Sequence, residues 1–137
     1  MKELDELMVQ HPDLCDLGAR FKNKNHSDLE DDRRVLREKS ETVQAVKEFL
    51  DVFAYPRSKT INHSMPSCEM KKFISHKFGQ ISDGVFISAA LLSGLTTDWR
   101  FKRNGTSKTS VCFNLAKKGL YSIENASIRG AAQDLRL

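Results

Sequence analysis

Hydrophobic positions recur at helical spacing through the first 95 residues and then switch to alternation. Leu4, Leu7 and Met8 predict a short helix over 3–10, closed at His11-Pro12 because the residue before a proline is driven out of helical conformation. Leu14, Leu17 and Phe21 predict a second short helix over 13–21. Leu29, Leu36, Val43 and Leu50, spaced by seven, predict one long helix over 27–54, with Val46 and Phe53 filling the seam in its second half. Ser27-Asp28-Leu29-Glu30 reads as the capping box that opens it, and Tyr55-Pro56 stops it. Such a helix would be roughly 40 Å long, more than a small core needs. Leu36, Val43, Val46 and Leu50 therefore offer either the seam of a homodimer or a long packing face.

Beyond the irregular stretch 57–66, Ser67 can cap a helix over 67–78 whose Met70, Phe73, Ile74 and Phe78 face a core. Lys71, Lys72, Ser75 and His76 share its other side. Gly79 suits the position after that helix. Ser82 can cap the next, over 83–93, which is apolar on nearly every face and so belongs inside. Then Trp99, Phe101 and Arg103 alternate with Arg100 and Lys102, and Val111, Phe113 and Leu115 with Ser110, Cys112 and Asn114. The intervening Asn104-Gly105 favours a reversal, so a β-hairpin is expected. The aromatic side of that hairpin is expected to pack on the helices, because a lone hairpin is marginal. A return to helix is expected over 116–122, followed by a mildly polar tail over 123–137 that reads as either helical or frayed.

The expected fold is thus mainly α with one β-hairpin (α+β). A winged helix-turn-helix-like C-terminal module over 57–122 would follow an acidic helical segment over 1–54, the whole forming one structural domain. The 39% hydrophobic and 29% charged residues are ordinary for a globular protein. The longest mostly apolar run, Val85 to Leu95, is too short to span a membrane, which takes roughly 20 residues. Three scattered cysteines (Cys15, Cys68, Cys112) fit reduced thiols in the cytoplasm better than a disulfide framework.

Charge changes this picture. Through Asp51, nine Lys and Arg face 13 Asp and Glu; from Val52 onward, 13 face five. Such a split points the basic half at a polyanion. Lys71, Lys72 and His76 on a helix, with Arg100, Lys102, Arg103 and Lys108 on the hairpin, are the candidate phosphate contacts. The helix VFISAALL offers base edges almost nothing beyond Ser88, so sequence-specific reading through it is not expected.

Catalytic chemistry finds no foothold. No G-x-S-x-G, H-E-x-x-H, P-loop or C-x-x-C occurs. His63, Cys68 and His76 lack the close pairing and the fourth ligand of a zinc site. Neither metal nor cofactor is expected, and the chain does not read as an enzyme.

Three stretches carry a resemblance: KTIN at Lys59 to Asn62, ISDGVFISAALLSGL at Ile81 to Leu95, and VCFNLAKKGL at Val111 to Leu120. Through them Ser58 to Leu120 resembles a group of short proteins encoded by phages, plasmids and related mobile elements. The resemblance implies a bacterial host and an accessory role, and transfers no functional residue. The expected function is a small, non-enzymatic DNA- or RNA-binding accessory protein. The alternative is an interaction protein, such as an inhibitor of a host defence complex, acting by binding or by charge mimicry through Asp28, Glu30, Asp31 and Asp32.

Overall fold

The computed structural model describes residues 1–19, 26–98 and 111–134, with the side chains of 19, 26–28, 98 and 131–134 outside that description. Helix α1 (Lys2–Gln10) buries Leu4, Leu7 and Met8, as the spacing predicts. One of its last carbonyls, which no residue of the helix can satisfy, and two carbonyls of the segment that follows are met by Arg33. That guanidinium donates to Met8 O at 2.7 Å, His11 O at 2.9 Å and Leu14 O at 3.0 Å.

The helix expected over 13–21 does not form. Strands β1 (Leu14–Cys15) and β2 (Gly18–Ala19) instead pair antiparallel, Leu14 opposite Ala19 and Cys15 opposite Gly18. Gly18 takes φ 115, a conformation that favours glycine and reverses the chain. Leu14 and Cys15 are buried and Leu17 points to solvent, so consecutive rather than periodic apolar residues enter the core.

The long helix expected over 27–54 is two helices, α2 (His26–Glu38) and α3 (Ser40–Phe53), broken at Lys39. Helix α2 begins at His26, one residue before the Ser27 expected to open it; of the capping-box pair Ser27 and Glu30, the Ser27 side chain lies outside the described residues. Of the two readings of the apolar seam, the packing face is the one the structure shows. Leu36, Val43, Val46 and Leu50 are each 0% exposed within the single chain, against a cluster that includes the apolar helix α6 (Asp83–Leu92). A face already covered by its own chain is not free for a second copy.

Helix α6 is buried from Asp83 through Ala90, as its composition predicts. Ser82 caps it, its hydroxyl accepting from the Val85 N–H at 3.1 Å. The N-terminus of α6 lies directly on the β1–β2 turn. The Gly84 N–H donates to Asp16 O at 3.0 Å, and a Cβ on Gly84 would stand 2.0 Å from Cys15 O.

Strands β3 (Thr97–Asp98) and β4 (Cys112–Phe113) pair antiparallel, Thr97 opposite Phe113. The irregular stretch 57–66 runs along the other side of this second strand, with isolated bridges at Arg57 and Pro66. Ser58 N donates to Asn114 O at 2.8 Å, Asn62 N to Phe113 O at 2.9 Å and Ser67 N to Val111 O at 2.7 Å. Helix α7 (Lys117–Asp134) is longer than expected and continues through most of the 123–137 tail. Buried apolar residues from Leu4 to Ile123 form a single cluster. Among the described residues the fold is thus mainly helical with two short antiparallel strand pairs, one of them, β1–β2, outside the expected hairpin.

Candidate nucleic-acid interface

Residues 67–78 are helical throughout, as α4 (Ser67–Met70), a 3-10 turn (Lys71–Ile74) and α5 (Ser75–Phe78). Met70 and Ile74 are buried, while Phe73 and Phe78 pack partly against the core. Lys72, His76 and Lys77 are exposed and Lys71 is half-buried. Lys71 and Lys72 come together with Ser75, Gly79, Gln80 and Ile81 around an open groove of about 350 Å³. His76 is exposed outside that lining.

Lys72 has a partner in its own helix, Glu69, with Nζ 3.1 Å from a carboxylate oxygen. Both side chains are more than half exposed, and pairs of that kind contribute about 0–1 kcal/mol. A phosphate can therefore displace Glu69 at small cost. Arg100, Lys102, Arg103 and Lys108, with Trp99 and Phe101, lie outside the described residues. The β3–β4 pair brings the two ends of that segment together. Phe113 faces the core, its ring edge-on to Phe86 with centroids 6.3 Å apart. It offers no platform to a ligand.

A second groove, of about 480 Å³, was not foreseen from the pattern. It is built by three elements. Phe49 and Phe53 come from α3, Lys77 from α5, and Ser122, Asn125, Ala126, Arg129 and Gly130 from α7. The α7 residues fall three, four and seven or eight apart, so they line one helical stripe. Ser127 and Gly130 lie where α7 meets α5. The Lys77 N–H donates to the buried Ser127 hydroxyl at 3.0 Å, and a Cβ on Gly130 would stand 3.2 Å from Lys77 Cδ. The available signal was helical spacing carried past Ser122, where Leu120, Ile123 and Ser127 form a buried line.

Pairing of the cations differs between the halves, with exceptions on each side: among the described residues Lys2 has no carboxylate partner and Arg33 is held by carbonyls, while Lys72 of the basic half pairs with Glu69. In the acidic half, Arg34 lies near Asp31 and Glu38, Arg37 bonds Asp5 at 3.3 Å, Lys39 bonds Asp16 at 3.0 Å and Lys47 bonds Asp51 at 2.9 Å. In the basic half Lys59, Lys71, Lys77, Lys117, Lys118 and Arg129 have no carboxylate partner among the described residues. Lys71, Lys77 and Arg129 border the two grooves.

Compared with protein-family models, curated proteins and solved structures, the chain gives no match. Among the described residues no three His, Cys, Asp or Glu side chains gather as a metal site requires, and no helix is long and apolar enough to cross a membrane.

Proposed function

We propose that this protein is a small, non-enzymatic nucleic-acid-binding accessory protein that holds phosphates through the exposed cations of its C-terminal half. The observation that carries this reading is the segregation of pairing. Four of the six described cations of the first half are engaged by carboxylates and Arg33 by backbone carbonyls, while among the described residues Lys71, Lys77 and Arg129 have no carboxylate partner and border open grooves. A cation with no internal partner releases condensed counterions when it meets a phosphate, and that release drives non-specific binding.

The order helix, short turn, buried helix and antiparallel strand pair supports a winged helix-turn-helix-like arrangement, with Arg100, Lys102, Arg103 and Lys108 on the wing. The exposed helix of such a unit would be the one carrying Lys71 and Lys72. Helix α6 has its side chains in the core and cannot meet base edges, which supports binding through the backbone rather than by sequence. The likeness of Ser58 to Leu120 to phage and plasmid proteins supports an accessory role in the bacterial cytoplasm. The test is a fluorescence-anisotropy titration of labelled single-stranded and duplex oligonucleotides with the full chain across a salt series. Affinity falling steeply with log salt supports the reading, and absence of binding at low salt overturns it.

A further inference from the structure

Phe53, at the end of α3, keeps 40% of its surface exposed although its ring leans on Phe49 with centroids 5.0 Å apart. Phe49 in turn meets Phe78 edge-on at 5.4 Å, so Phe53 is the outer member of an aromatic row held from behind. The Phe53 ring forms part of the wall of the α3–α5–α7 groove. Among the described residues, two cations without carboxylate partners, Lys77 and Arg129, border the same space, and no acidic one lines it. Asn125 adds an exposed amide with both donor and acceptor. The volume, about 480 Å³, falls within the roughly 300–1,000 Å³ of small-ligand sites.

A flat apolar face, two positive groups and one amide match a planar ring system carrying phosphate. Resting on the nucleic-acid reading above, we infer that this groove takes one unstacked nucleobase of a single strand. The base lies against Phe53, its edge meets Asn125, and the flanking phosphates meet Lys77 and Arg129. A base inside a duplex is already stacked and paired and cannot reach the ring without being extruded. The groove therefore makes the protein prefer single strands, while the Lys71–Lys72 groove serves either form.

The experiment uses the full chain, a labelled oligothymidylate and a duplex of equal length, with Phe53→Leu and Phe53→Ala. Leucine keeps most of the side-chain volume and removes the π face; thermal melting verifies that each variant is folded. Both substitutions are expected to weaken single-strand binding about tenfold, the order of one lost base–aromatic stack, with the salt slope and duplex affinity unchanged. Phe53→Trp is expected to restore binding. Photo-crosslinking of a 5-bromouracil oligonucleotide is expected to mark the peptides holding Phe53 or Asn125.

Unaltered single-strand affinity in Phe53→Leu overturns the base site, as does equal loss for single strand and duplex or a crosslink confined to other peptides. In those cases salt-dependent binding by the wild-type chain leaves the phosphate reading standing. If neither nucleic acid binds at low salt, both fall together.

Discussion

Asp16 accepts a hydrogen bond from the Ser82 hydroxyl at 2.7 Å, across 66 residues of chain. The same carboxylate takes the Lys39 ammonium, with 3.0 Å to each oxygen. Ser82 caps α6 and Lys39 stands at the break between α2 and α3, so one side chain ties three junctions together. Removing the carboxylate leaves a partly buried hydroxyl and an ammonium without their acceptor, which costs about 1–3 kcal/mol. Asp16→Ala is expected to lower the unfolding free energy by that amount, read as a lower urea midpoint with the slope unchanged. A loss below about 0.5 kcal/mol, the range of an ordinary surface change, would show that the junction is held by other contacts.

Gly84 is where α6 touches the β1–β2 turn. The methyl of Gly84→Ala would enter the space of Cys15 O and of the Asp16 backbone, 2.0 and 2.7 Å away. Backbone cannot yield as a flexible side-chain end can, so overpacking here is expected to cost about 1–3 kcal/mol or more. Ala substitution at Gly79, where nothing lies within 4 Å, meets no such clash and is strained only by its φ of +68. Comparing the two unfolding midpoints separates close approach from backbone conformation.

Leu50 distinguishes an internal core from a dimer seam. Fully buried within one chain, its truncation to Ala is expected to cost about 2–5 kcal/mol. The unfolding midpoint of the wild type should not depend on protein concentration. A midpoint rising with concentration, with Leu50→Ala dissociating a dimer before it unfolds, would restore the intermolecular seam.

Burial lowers His11 below the ordinary histidine value of 6.5. The fold therefore favours neutral imidazole, while the unfolded chain takes up the proton first as pH falls. The stability this contributes is complete above pH 6.5 and is lost as pH falls through the lowered folded value. Between pH 7 and pH 5 the wild type is expected to lose more stability than His11→Gln. Parallel curves for the two would remove His11 from the acid response.

How much was legible in the pattern depends on what each signal encodes. Ser82 as a cap, Gly79 as a terminator and the buried α6 were readable because each follows from local backbone chemistry or composition. The heptad through Leu36, Val43 and Leu50 marks an apolar face but says nothing about what covers it, and the cover proved to be the chain's own core, α6 included. Leu14 and Leu17 are too few to tell a helical turn from a tight hairpin, and Gly18 decides for the hairpin. The extent of α7 was not legible because the mildly polar tail after Ser122 fits a helix as well as a frayed end; burial of Ile123 and Ser127 fixes it, and Gly119 lies at a close approach, where a Cβ would stand 2.7 Å from Pro56 O. The groove beside Phe53 was hidden for another reason. Its parts come from α3, α5 and α7, and no local window holds them together.

The proposal that unpaired cations of the C-terminal half hold phosphates is tested most directly by the triple reversal Lys71→Glu, Lys77→Glu and Arg129→Glu, compared with reversal of Arg34, Arg37 and Lys47. The two variants carry the same net charge, so only the position of the cations differs. The first is expected to lose binding and to flatten the slope of log affinity against log salt by about 2, at roughly 0.7–0.9 per phosphate contact. The second is expected to keep most of both. Equal losses in the two variants, or a slope unchanged in the first, would contradict the account.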